Sequence, residues 1–180
     1  RSLGVPTVAA RTIHSAALKQ LLYFWPSVFG GRTPDLMTTK TGFLTEAINR
    51  AGLSDSIRAT NRELMRDIAS EIEWAKVSQA ATSDYVDEIS KRMQKPRVLP
   101  EQMVQIYTAY ESIKKQELAI DFEDVLLLCA AMLEEEREVR ERVQDQYRYF
   151  TIDEYQDVSP IQQRLINAWL GTRKDICVVG

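Results

Sequence analysis

At 180 residues with 44% hydrophobic side chains, the chain can bury one good core or parts of two small ones, which excludes a disordered segment. The net charge is −3 with both signs mixed along the chain, so any nucleic-acid contact has to come from a local patch rather than the overall field. No apolar run reaches the roughly 20 residues of a membrane span and no signal-peptide stretch opens the chain. Cys129 and Cys177 lie in apolar runs without metal-ligand spacing, as small core residues in a reducing compartment do, so a cytoplasmic protein is expected.

In chain order, "VPTVAARTIHS" opens with β-branched residues and predicts a strand over about 6–13. "SAALKQLLYFW" then places Ala17, Leu18, Leu21, Leu22 and Trp25 at helical spacing. Pro26 and "FGGRTPD" predict a connection over 26–42. Helical signals follow to about residue 118: Thr60 with Glu63 as a capping box ahead of Leu64, Ile68 and Ile72, and a shorter helix in "TSDYVDEISKRM" that ends before Pro96. Pro100 opens a further helix carrying Met103, Ile106, Tyr107, Tyr110 and Ile113, on which the two tyrosines read as core packing. Asp121 caps a helix that becomes a charged surface helix, with Glu136–Arg140 and Glu138–Arg142 at the i,i+4 spacing of solvent-exposed pairs. A strand over about 147–153, a helix over 160–170 closed by Gly171, and the apolar run "DICVVG" complete a β-α-β order. An α/β chain, mainly helical, is predicted.

The stretch "YRYFTIDEYQDVSPIQQ" places Asp153, Glu154 and Asp157 directly after an apolar strand. In an open α/β sheet the ligand lies beyond the carboxyl ends of the strands. An aspartate there can hold Mg²⁺, usually through water, and the following glutamate can polarise a water near a γ-phosphate. Asp-Glu after an apolar strand also occurs as a plain cap or turn, and on these residues alone the two readings stand level.

The surrounding residues carry a resemblance. "TIDEYQDVSPIQ" resembles motif II of the superfamily 1 helicases related to UvrD, Rep and PcrA, "DFEDVLLL" resembles their Asp-Phe-Asp-Asp-Leu segment, and "ARTIHSAAL" resembles their Thr-Phe-His-Ser motif with Ile13 in place of Phe. "EIEWAKV" is similar to the short family helix beside the DNA path, and "DICVVG" to the strand entering motif III. The matches fall in family order from about residue 11 to residue 180, and "LLYFWP" looks most like the actinobacterial UvrD-like members. No G-x-x-x-x-G-K-[ST] stretch is present, so the phosphate-cradling loop is not in this chain.

The resemblance implies a piece of a longer chain: a helical 1B subdomain inserted in an incomplete RecA-like parallel sheet, with part of RecA-like domain 1A over residues 1–25, 1B over 26–118, and the rest of 1A with its Walker B motif over 119–180. It implies an ATP-dependent 3′–5′ helicase of DNA repair or replication, inactive without the rest of its chain, that uses ATP and Mg²⁺ on single-stranded DNA and on junctions with duplex. Asp153 would hold the metal ion, Glu154 would activate water, and Gln156 with Asp157 would link the nucleotide site to the DNA elements. Thr12, His14 and Ser15 would contact DNA, where hydroxyls, an imidazole and helix-start amides suit phosphate. Trp74 and Lys76 are further DNA candidates, with Lys76 the phosphate contact and Trp74 equally suited to core or stacking; Lys40, Arg58, Arg62 and Arg66 read as a solvated face. A helicase-nuclease subunit and a non-catalytic helical interaction module are the alternatives.

Overall fold

The computed structural model describes residues 10–55, 57, 61–93 and 95–180. Its element order is α1 (Ile13–Val28), β1 (Asp35–Leu36), α2 (Thr41–Arg50), α3 (Arg62–Val77), α4 (Tyr85–Ser90), α5 (Pro100–Gln116), β2 (Ala119–Ile120), α6 (Phe122–Glu135), α7 (Arg137–Gln146), β3 (Phe150–Ile152), a single 3-10 turn (Tyr155–Asp157), α8 (Pro160–Leu170) and β4 (Ile176–Val178). The architecture is a mainly helical α/β one.

Local chemistry accounts for most helix ends. Thr12 Oγ1 accepts from the Ser15 amide at 3.2 Å and so starts α1, Asn61 Oδ1 accepts from the Leu64 amide at 3.1 Å and starts α3, and Pro100 opens α5 at a position where its missing N–H costs nothing. Asp121 with Asp124, and Ser159 with Gln162, form reciprocal capping boxes on α6 and α8. Gly171, at φ 62°, ends α8 in the left-handed region open to glycine.

Four expectations are corrected here. Residues 6–9 of the first predicted strand lie outside the described residues, and 10–12 form no strand because the Thr12 cap draws Ile13 and His14 into a helix. Pro26 does not end α1, which runs to Val28; the proline sits close to the end, where the Phe29 and Gly30 amides both close on the Trp25 carbonyl. The cap of α3 is Asn61, while Thr60 of the expected capping box lies outside the described residues. The charged helix breaks at Glu136, which is extended at φ −96° and ψ 94°, and Arg140 turns back onto the Leu133 and Glu134 carbonyls that end α6 instead of pairing with Glu136.

Among the described residues there are two sheets, each of two parallel strands: β1 with β2, and β3 with β4 in the register Phe150–Ile176 to Ile152–Val178. The β1–β2 pair was not legible in the sequence, being two residues long on each side. β3 is half-buried rather than buried, with Phe150 stacked on Trp169 of α8 at 6.0 Å.

Apolar side chains gather in two cores. One, centred on Ile48, Ile68, Ile72, Met103, Ile106 and Tyr110, is built from α2, α3, α4 and α5. The other, centred on Leu21, Leu126, Leu133, Leu165 and Ile166, is built from α1, α6, α7 and α8, and the β3–β4 pair packs against it. The 3.6-residue spacing on α1, α3 and α5 put these side chains on one face each, and burying a Leu or Ile contributes about 1.5–3 kcal/mol.

Candidate functional site

Asp153 and Glu154 stand exposed just past β3, at its carboxyl end. Among the described residues Asp153 Oδ1 accepts only the Glu154 amide, at 3.1 Å, and the rest of the carboxylate is open. Glu154 is left-handed at φ 52°, a rare state for a residue other than glycine, and it is held there by the Asp157 amide on its carbonyl and by the Tyr155 amide on the Val179 carbonyl, each at 2.9 Å. Gln156 Nε2 donates to Glu154 Oε2 and fixes the carboxylate, while Tyr155 Oη donates to Gln163 of α8. The strand, the turn and α8 are thereby tied together, with two carboxylates presented to solvent. Asp157 is exposed on the same turn. An open aspartate with a neighbouring glutamate suits an oxygen-coordinated cation such as Mg²⁺.

A cleft of about 180 Å³ lies where α1 and α6 begin and is lined by Thr12, His14, Ser15, Leu18, Phe122 and Val125. His14 is half-buried against Phe122, ring edge to face at 6.4 Å. Burial lowers the His14 pKa below the ordinary histidine value, with Glu123 pulling partly the other way. The imidazole is therefore neutral at pH 7. Two-dimensional NMR of the ring should show a midpoint below 6.5, moved lower still in Glu123→Gln; a midpoint above 6.5 would contradict this environment. Because the folded midpoint is depressed, the unfolded chain binds the proton more readily, and this residue's contribution to stability is lost as pH falls below about 6.5.

The remaining candidates fall elsewhere. Trp74 is partly buried on the helical core, with Tyr85 at its edge and the Arg92 guanidinium 4.1 Å over its ring, so one face of the proposed stacking platform is already taken. Lys76 is 2% exposed, and its ammonium sits on Asp121, Asp124 and Glu111. The expectation that Lys76 contacts phosphate is corrected: the i,i+4 face that buries Ile68, Ile72 and Ala75 turns this lysine inward as well. Lys40 is also paired, with Glu123 at 2.7 Å, Arg62 and Arg66 are exposed, and Arg58 lies outside the described residues.

Residues 4–180 match the family described as UvrD/REP helicase N-terminal domain. The chain belongs to that family. It is 40% identical over 180 residues to the ATP-dependent DNA helicase UvrD2 of Mycobacterium tuberculosis, covering 98% of this chain and 25% of the relative. The PcrA helicase of Leuconostoc citreum is 30% identical over 67% of this chain and 15% of its own length, and the Rep helicase of Salmonella typhimurium 39% identical over 41% and 11%. The chain thus spans about a quarter of the length of its mycobacterial UvrD/REP relatives. No helix among the described residues is long and apolar enough to cross a membrane.

Two further residues, Phe122 and Lys114, stand at positions that bear on the site. Phe122 is 49% exposed although it falls in phase with the stripe of Val125, Leu126, Cys129 and Leu133, because the Asp121 cap places it at the first helical position, at the end of that stripe. Lys114 was signalled by spacing, since positions 103, 106, 107, 110, 113 and 114 form one buried face of α5.

Proposed function

We propose that this chain is the segment of an ATP-dependent 3′–5′ DNA helicase that supplies the water-activating carboxylates and one side of the strand path. α2 to α5 would be subdomain 1B, and α1 with α6 to β4 the matching part of RecA-like domain 1A. The observation that carries the reading is the open Asp153–Glu154 pair at the carboxyl end of β3, in a chain whose relatives are named ATP-dependent DNA helicases.

In this reading Asp153, whose second oxygen is unengaged among the described residues, would hold Mg²⁺. The metal ion, when bound with ATP, offsets charge on the phosphates. Glu154 accepts a proton from the attacking water, and Gln156 keeps that carboxylate facing outward. The cleft of Thr12, His14, Ser15 and Phe122 takes single-stranded DNA, or the single strand at a junction: the hydroxyls and the α1 amides face phosphate, the neutral His14 donates a hydrogen bond, and the half-exposed Phe122 ring stacks on a base.

DNA-stimulated phosphate release by the full-length chain tests the reading as a whole; no release with single-stranded DNA and MgATP would end it. A nuclease domain after residue 180 would instead make the protein a helicase-nuclease subunit. For the cleft, Phe122→Ala in the full-length chain should weaken binding of a labelled oligonucleotide by the worth of one stacked base, about 1–3 kcal/mol or roughly 5- to 150-fold, with no change in the slope of log K against log salt because no charge is removed. Fluorescence anisotropy across a salt series reads both, and an unchanged affinity would remove Phe122 from the strand path. The 180-residue chain by itself, with few phosphate contacts, should bind no tighter than about 10⁻⁴ to 10⁻⁶ M at physiological salt.

A further inference from the structure

Two lysines and two aspartates close a buried square between the two cores. Lys76 and Lys114 arrive on α3 and α5 from the helical side, and Asp121 and Asp124 from the start of α6 on the other. Lys76 Nζ lies 2.7 and 2.8 Å from the two Asp121 oxygens and also donates to Asp124 Oδ1. Lys114 Nζ lies 3.0 Å from Asp121 Oδ2 and also donates to Asp124 Oδ2. Glu111 Oε1 is 3.3 Å from the first ammonium and 2.8 Å from the second, so each of the two reaches three carboxylates. Tyr110 Oη adds a donor to Asp121 at 3.1 Å. The two lysine side chains are 2% and 3% exposed. Glu111, Asp121 and Asp124 are close enough together to hold a metal ion, but the two ammonium groups already fill that role.

Such a square is a poor source of net stability. Taking each ion out of water costs several kcal/mol, and apolar replacements of similar volume are often neutral or stabilising. It does impose geometry, because each ammonium is satisfied only when α3 and α5 stand in one placement relative to α6. The same first turn of α6 carries Phe122 and Glu123, which face His14. A shift of the square therefore shifts the cleft.

We propose that Lys76, Lys114, Asp121 and Asp124 form the joint that fixes the helical body on the other core and sets the cleft at the starts of α1 and α6, the lysines acting as positioning residues and not as phosphate contacts. The DNA half of this proposal rests on the strand-cleft reading above; the joint itself does not.

The test uses the full-length chain with other exposed cysteines replaced and spin labels at Lys19 on α1 and Arg66 on α3, both exposed. Dipolar spectroscopy should give one narrow distance distribution. The variant Lys76→Met, Lys114→Met, Asp121→Asn, Asp124→Asn removes every charge of the square while keeping a capping side chain at 121. It should remain folded, broaden the distribution and weaken oligonucleotide binding about 2- to 30-fold, with the salt slope unchanged. Asp124→Asn alone, the mildest change, is expected to broaden the distribution in the same direction and serves if the fourfold variant does not fold. A distribution as narrow as wild type in folded variants overturns the joint whether or not DNA binds. Broadening with unchanged DNA affinity, or no DNA binding by wild type, overturns the positioning of the cleft and leaves the joint supported by the distances. A slope reduced by about one unit in Lys76→Met would return that lysine to a phosphate contact and overturn its role here.

Discussion

Glu154→Gln in the full-length chain should lower DNA-stimulated ATP hydrolysis by about 10²- to 10⁴-fold, the usual worth of a positioned general base. The amide keeps the size and hydrogen-bonding outline of the carboxylate but cannot take a proton from water. Because the backbone at Glu154 is held left-handed by amides from Asp157 and Tyr155, the substitution leaves the turn itself in place, so nucleotide and DNA binding are expected to persist. The measurement is steady-state phosphate release beside the binding of a fluorescent nucleotide. Loss of both together would point to a collapsed turn, and a variant keeping more than a tenth of the rate would remove Glu154 from the chemistry. The 180-residue chain alone, which carries no phosphate-cradling loop, should release phosphate at the rate of the buffer blank.

Helices carried by long apolar stripes or by explicit caps were legible from residues alone: α5 from Pro100, α6 from Asp121, and α8 from Ser159 to Gly171 each lie where local chemistry put them. What failed depended on distance in sequence. β1 and β2 pair across more than eighty residues through two-residue strands whose composition carries no period, and the break at Glu136 is stabilised by an arginine reaching back to carbonyls, which an i,i+4 count reads as an ion pair. The placement of Asp153 and Glu154 just past a strand was legible because a strand end is a local event. Lys76 was legible only in part: its i,i+4 spacing from Ile68 and Ile72 puts it on the buried face of α3, but nothing near it in sequence signals that Asp121 and Asp124 will meet it. Charge chemistry in a sequence shows which groups are present; whether an ammonium meets phosphate or carboxylate is decided by tertiary packing.

The clearest energetic consequence of that packing falls on Asp121. Burial by itself would raise its pKa, but Lys76 and Lys114 outweigh burial and hold the carboxyl well below the usual range. Lys76 shows the converse balance: burial would lower its pKa, and Asp121, Asp124 and Glu111 together raise it. Both groups are therefore charged across the physiological range. Asp121→Ala strands two buried ammonium groups on the remaining carboxylates and also deletes the α6 cap, so a loss of about 3–5 kcal/mol is expected from the first effect and about 1 kcal/mol from the second. Asp121→Asn keeps the cap and isolates the charge. Because the folded pKa is depressed, the Asp121 contribution is fully present above the unfolded value near 3.9 and is lost as pH falls below it. Urea unfolding at pH 7 should therefore show a large gap between wild type and Asp121→Asn, and the gap should shrink progressively below about pH 4. A gap under about 1 kcal/mol at pH 7, the size of an exposed pair, would mean that water reaches the square and that its ions are not buried as the geometry indicates.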